Sequence, residues 1–129
     1  MCLRGASAVQ RLLDERPAAR VRVYTIWEPI QPIDIAAPTS AVLGRLHDAR
    51  VQQYWDPQHA VSAQMQKDAR APQPVQECCE RNGKVWDLAA FYPAGGSWTA
   101  QMPTATFFNG PVLDLIDQLE SALTGSVSR

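Results

Sequence analysis

Short β-branched and aromatic runs alternate with stretches of helical periodicity along this chain, which predicts an α/β fold with a central mixed sheet flanked by helices. Three observations carry that expectation. Val21, Val23, Tyr24, Ile26 and Trp27 form a run that is largely apolar on both faces, as a strand buried inside a sheet requires. The segment after Pro111 repeats Val112, Leu115, Ile116, Leu119 and Leu123 as one helical stripe. A length of 129 residues suits a single domain over 1–129 with a core that needs no staples.

The elements follow in order. Ala6, Val9, Leu12 and Leu13 recur at helical spacing, and Pro17 ends that first helix. The Val21–Trp27 run reads as a central parallel strand. It stops at Glu28-Pro29, and Pro32 and Pro38 make the next connection stiff and extended. Thr39 or Ser40 can cap a short helix carrying Val42, Leu43 and Leu46, which ends near His47-Asp48. A strand over Val51–Trp55 follows. Asp56-Pro57 then starts a helix, with the carboxylate as cap and proline in the first helical position, running to about Asp68.

Ala71 to Gln76 is an extended linker into Glu77-Cys78-Cys79-Glu80, and Asn82-Gly83 marks a turn. Val85 to Tyr92 is one strand, broken by Gly95-Gly96. Thr104 to Phe108 is another, close enough to be its antiparallel partner, and it ends at Asn109-Gly110. Pro111 opens the last helix and Gly125 closes it.

Composition narrows the function classes. Ten Arg and two Lys are scattered without a basic stripe, and the formal net charge is −1, so nucleic acid is not an expected partner. No apolar run reaches the ~20 residues of a membrane helix, and no basic-then-apolar leader is present, so a cytoplasmic protein is expected. Three cysteines, two of them adjacent, read as thiols rather than as a secreted disulfide framework. Neither a Gly-rich phosphate loop nor a nucleophile elbow occurs, and no resident cofactor is expected.

The thiols carry the candidate chemistry. Cys2 stands at a helix start, where the macrodipole and unpaired N–H groups favour a thiolate, and Arg4 adds a nearby cation. Cys2 is therefore expected to be the most reactive thiol. Cys78-Cys79 can bind a soft ion such as Hg(II), As(III), Cu(I) or Zn(II), with Cys2 as a third ligand if the fold brings it close. The same two residues can instead form a vicinal disulfide, or simply pack as small hydrophobes at a loop edge. His47 and His59 lack metal-site spacing and read as surface histidines. Asp34, Asp48, Asp56 and Asp87 read as turn and cap residues, and Trp27, Trp55, Trp86 and Trp98 as core or near-core side chains.

Taken together, Met102-Pro103-Thr104-Ala105-Thr106-Phe107-Phe108-Asn109-Gly110 resembles the hydrophobic-Pro-Thr loop, strand and Asn-Gly turn of the thioredoxin-like fold. Met1-Cys2-Leu3-Arg4-Gly5 is similar to the second half of its Cys-x-x-Cys helix start. Tyr24-Thr25-Ile26-Trp27-Glu28-Pro29, Tyr54-Trp55-Asp56, Cys78-Cys79-Glu80 and Trp86-Asp87 also resemble a group of bacterial thioredoxin-like proteins. The resemblance implies that Pro103 is cis and faces Cys2. It further implies an N-terminally truncated domain, lacking the first strand and the first, nucleophilic cysteine, with Cys2 in the resolving position. A thiol-based redox or soft-metal-binding protein, weak as a dithiol oxidoreductase, is the function expected; a non-catalytic binding or dimerisation module is the alternative. The expected partners are a protein thiol or disulfide, or a soft metal ion. A sheet lacking an interior strand would leave Val9, Leu12 and Val23 facing water, so a homodimer is also expected.

Overall fold

A computed structural model describes residues 2–33 and 35–127; Asp34 lies outside the described residues. The elements run α1 (Leu3–Glu15), β1 (Val23–Trp27), α2 (Ser40–Leu43), β2 (Val51–Trp55), α3 (Ala60–Asp68), β3 (Glu80–Arg81), β4 (Lys84–Val85), β5 (Ala89–Phe91), β6 (Phe107–Asn109), a 3-10 turn (Val112–Leu115) and α4 (Ile116–Val127). The mixed α/β class holds. Its sheet differs from the expectation, because the described strands form three separate two-stranded ladders rather than one central sheet.

Helix α1 buries Ala6, Ala8, Leu12 and Leu13 on one face together with Gln10. Gln10 is polar yet satisfied: its Nε2 donates to Asp14 (2.8 Å), and its Oε1 accepts the N–H groups of His47 (2.8 Å) and Asp48 (3.0 Å). The C-terminal carbonyls of α1 are held by a long-range contact. The Arg50 guanidinium donates to Leu13 O (2.8 Å), Arg16 O (2.8 Å) and Ala19 O (3.1 Å), and pairs with both carboxylate oxygens of Asp48 at 2.8 and 2.7 Å. A helix end whose carbonyls lack intrahelical partners is thereby capped from outside the helix.

Strands β1 and β2 are parallel, with Val23 opposite Val51 and Trp27 opposite Trp55. One face packs on Ala6, Leu13 and Leu46 as the first core cluster. The Trp27 indole N–H donates to Gln53 Oε1 (2.8 Å), and the Gln53 amide in turn donates to Leu43 O and Leu46 O, so the buried ring carries no unmet donor. The opposite face is open at Tyr24, 57% exposed, and Tyr54, 50% exposed.

Leu12 is buried with Ala19 and Leu123, with Val21 and Phe91 packed alongside, and Val9 and Val23 pack on the first cluster. The chain therefore covers by itself the residues expected to face water. Val21, just before β1, and Phe91 of β5 both pack on this cluster, so the two ladders are linked through side chains rather than through a backbone ladder.

Three local expectations are corrected. Helix α3 begins at Ala60 rather than at Pro57, because the Asp56 carboxylate accepts the N–H of Val61 (2.8 Å) and His59 takes a left-handed φ of 57°. The Val85–Tyr92 run is two strands, broken at Asp87, whose φ is 47°. Trp86 and Trp98 are 42% and 41% exposed, outside the core. The Asn82-Gly83 turn is as expected: both residues have positive φ, as a tight two-residue hairpin demands, and it joins β3 to β4. Strands β5 and β6 are antiparallel, with Ala90 opposite Phe108. No helix among the described residues is long and apolar enough to cross a membrane.

Candidate functional site

Cys2 sits immediately before α1, with no side-chain cap from its thiol. One turn on, Gly5 is buried because the 3-10 turn comes close. A Cβ there would meet Cys2 Sγ at 3.0 Å and Val112 Cβ at 3.3 Å. Val112 follows the Gly110-Pro111 loop, and its N–H donates to Asp87 Oδ1 (3.3 Å). The Asp87 side chain is also near enough to the Cys2 thiol to push its pKa up. Asp87 can reach both partners because its positive φ turns the chain between β4 and β5.

The other two cysteines meet the same loop from behind. The sulfurs of Cys78 and Cys79 are bonded to one another as a vicinal disulfide. Cys79 is buried, has a φ of 75°, and its carbonyl accepts the N–H of Trp86 (2.9 Å), which places it beside Asp87. Gly110 separates the two: a Cβ on it would strike the Asp87 carbonyl oxygen and would lie 2.8 Å from Cys79 Sγ. Asn109 fixes the approach by accepting the N–H of Glu77 (3.0 Å) on its side chain. Asp87 thus neighbours Cys2 through its side chain and, through its carbonyl, Gly110, which lies against Cys79 Sγ.

Electrostatics at Cys2 run opposite to the helix-start expectation. Burial pushes the thiol up most strongly, the Gly5 backbone N–H pulls it down, and the Asp87 carboxylate pushes it up again by hydrogen bond and by charge; the net shift is upward. Arg4 is exposed on the first turn and is not among these influences. Burial and the Asp87 carboxylate together hold the Cys2 thiol above the usual thiol range.

Pro103 is not where the resemblance puts it. The cis bonds in the described chain are Ala71-Pro72 and Gly110-Pro111, and Met102-Pro103 is trans. Trans is the ordinary isomer of an X–Pro bond, and the loop is held away from Cys2: Met102 N–H donates to Asp68 Oδ2 (2.9 Å), while Gln73 donates to Pro103 O (3.0 Å) and accepts from the N–H of Ala105 (2.8 Å). Pro103 packs near Gly96, whereas the neighbours of Cys2 are Gly5, Val112 and Asp87. The loop that does approach Cys2 carries Pro111.

The expectation of Asp87 as a turn and cap residue agrees with its positive φ and with the N–H it accepts from Val112, but local reading gives neither Asp87 nor Gly110 a place beside a cysteine. The available signal was an aspartate inside an otherwise apolar run from Val85 to Tyr92, which breaks the strand pattern. His59 also differs from a free surface histidine, since its Nδ1 lies 3.2 Å from Glu28 Oε2. His47 is exposed, as expected, with Nδ1 3.0 Å from Gly44 O. Among the described residues no three His, Cys, Asp or Glu side chains are grouped so as to hold a metal ion, and while they are bonded Cys78 and Cys79 offer no thiolate. Compared with family models, curated proteins and solved structures, the chain matches none.

Proposed function

We propose that this chain is a thiol–disulfide exchange protein whose working groups are Cys2, the Cys78–Cys79 pair and Asp87. The supporting observation is the position of Asp87: its carboxylate acts on the Cys2 thiol, and its carbonyl lies against Gly110, which lies against the Cys79 sulfur. The likeness of residues 1–5 and 102–110 to the thioredoxin-like pattern lends this reading sequence support, less the cis-Pro103 link.

In the exchange, the Cys2 proton passes to the Asp87 carboxylate and the thiolate attacks a sulfur of the substrate disulfide. A mixed disulfide forms, and the second substrate sulfur leaves as a thiolate that takes up the proton. A second thiol must then attack the mixed disulfide to free Cys2. Among the described residues no second cysteine stands on the turn into α1, so this chain should reduce insulin disulfides far more slowly than an intact Cys-x-x-Cys protein. Turnover comparable to a thioredoxin would show that Cys78 or Cys79 resolves the intermediate, and serine variants of each would identify which.

The carboxylate's part is tested by iodoacetamide alkylation of Cys2 against pH. The midpoint should lie above that of an ordinary thiol, because burial and Asp87 both disfavour the thiolate. Asp87→Asn should move it downward. A wild-type midpoint at or below the ordinary value, or one that Asp87→Asn leaves unmoved, would remove Asp87 from the site.

A second reading, a binding or dimerisation module, is favoured by the open outer face of β1–β2, where Tyr24 and Tyr54 are half or more exposed around Ile26. Under it the chain forms a homodimer through that face, and sedimentation equilibrium at micromolar concentration should return twice the chain mass. A strictly monomeric, cooperatively folded species would overturn it.

A further inference from the structure

Cys78 and Cys79 are held in a way that suits a second activity. The backbone already presents both sulfurs to one point, since they reach bonding contact with each other. Cys79 is fixed from three sides, by its left-handed backbone, by the Trp86 N–H on its carbonyl and by Gly110 against its sulfur. Cys78 is only half-buried, so the pair can be approached from solvent.

The chemistry of the surroundings restricts what such a pair can take. A structural zinc ion demands four ligands, and no third or fourth His, Cys, Asp or Glu is grouped with these two among the described residues. A monosubstituted trivalent arsenical needs two thiolates only, because its third position is filled by its own carbon substituent, and arsenic is soft enough to prefer sulfur.

We propose that the reduced Cys78–Cys79 pair is a two-thiol capture site for monosubstituted trivalent arsenicals. The proposal shares sulfurs with the exchange reading but does not require exchange at Cys2. The pair must first be reduced, for which a trialkylphosphine serves: it gives two electrons to the disulfide, takes an oxygen from water and leaves two thiols. The arsenical, as the hydrated form R-As(OH)2, then exchanges both hydroxyls for the two sulfurs and releases two waters, with no change in the oxidation state of arsenic. Once the first As–S bond has formed, the second closes within the molecule, and that raises retention over a single thiol by about 100-fold or more.

The experiment uses the full chain, a trialkylphosphine and phenylarsine oxide, read by intact mass spectrometry and by mapping of the cysteines that iodoacetamide can still reach. One phenylarsenic group per chain is expected after reduction and none before it. In the adduct, Cys78 and Cys79 should be protected and Cys2 alkylated. Cys78→Ser and Cys79→Ser should each lose the adduct on desalting, whereas Cys2→Ser should keep it. An adduct that forms without reductant, that survives in Cys78→Ser, or that protects Cys2 while leaving Cys78 or Cys79 open would overturn the proposal. So would the absence of any adduct on reduced wild-type chain. Protection mapping needs no variant, so a misfolded serine variant does not blur the result. Failure of disulfide exchange at Cys2 leaves every one of these outcomes unchanged.

Discussion

Gly110→Ala should destabilise the chain by about 3 kcal/mol, near the upper end of what overpacking costs, and lower Tm by about 10 °C. The added methyl would strike the Asp87 carbonyl oxygen, a backbone atom, and would also crowd Cys79 Sγ at 2.8 Å. Neither neighbour is free to move: Asp87 is tied to Val112 through its side chain, and Cys79 is tied to Trp86 through its carbonyl and to Cys78 through its sulfur. The loop must open, so the midpoint of Cys2 alkylation should shift along with Tm. Gly5→Ala is the internal control. Its methyl would meet only side-chain atoms, Cys2 Sγ and Val112 Cβ, and alanine gains about 1 kcal/mol of helix propensity over glycine. Its net effect should stay within about 1 kcal/mol of zero. Thermal denaturation followed by circular dichroism measures both, and an unchanged Tm for Gly110→Ala would mean that the loop is not packed as described.

The contrast between these two glycines shows how far the sequence could be read. Helix α1, the β1 and β2 strands, the Asn82-Gly83 turn and the antiparallel β5–β6 pair follow from local periodicity and turn chemistry, and they are legible. The arrangement of strands into ladders is set by which backbones meet, and an apolar pattern does not encode that. Asp87 is legible as a turn and cap residue. What makes it a site residue is the closeness of Gly110, 23 positions later in the chain, and no local signal carries such a contact. The placing of the Pro103 loop has the same origin, since the Gln73 side chain that holds it comes from a stretch that reads only as a linker. Cys2 was correctly singled out as a helix-start thiol. Its shift runs the other way because burial and a carboxylate brought from β4–β5 outweigh the helix end.

Arg50 is the other residue whose role is invisible locally, because it reads as one of ten scattered arginines. Arg50→Ala should cost about 3 kcal/mol, as removal of one partner of a partly buried ion pair does. The substitution strips the guanidinium from Leu13 O, Arg16 O and Ala19 O, so the end of α1 loses its cap, and it leaves the Asp48 side chain, only 16% exposed, without its cation. Arg50→Lys should recover little, since one ammonium cannot span a carboxylate and three carbonyls in the way a planar fork does. The pH dependence gives a separate readout. Hydrogen bonds from the Arg50 side chain and backbone hold Asp48 down at about 2, below its ordinary 3.8. A depressed carboxylate contributes stability that is fully present above its unfolded value and is lost as pH falls toward the folded value. Wild-type chain should therefore lose at most about 2 kcal/mol from this group on acidification from about pH 4 to about pH 2, less whatever solvent screens at the pair's exposed edge. In Arg50→Ala that loss should shrink, because the side-chain hydrogen bonds are gone and only the backbone N–H of residue 50 still holds Asp48 down. Urea denaturation of the two chains across that range measures the difference, and parallel stability curves would show that the Arg50–Asp48 pair does not tie β2 to the end of α1.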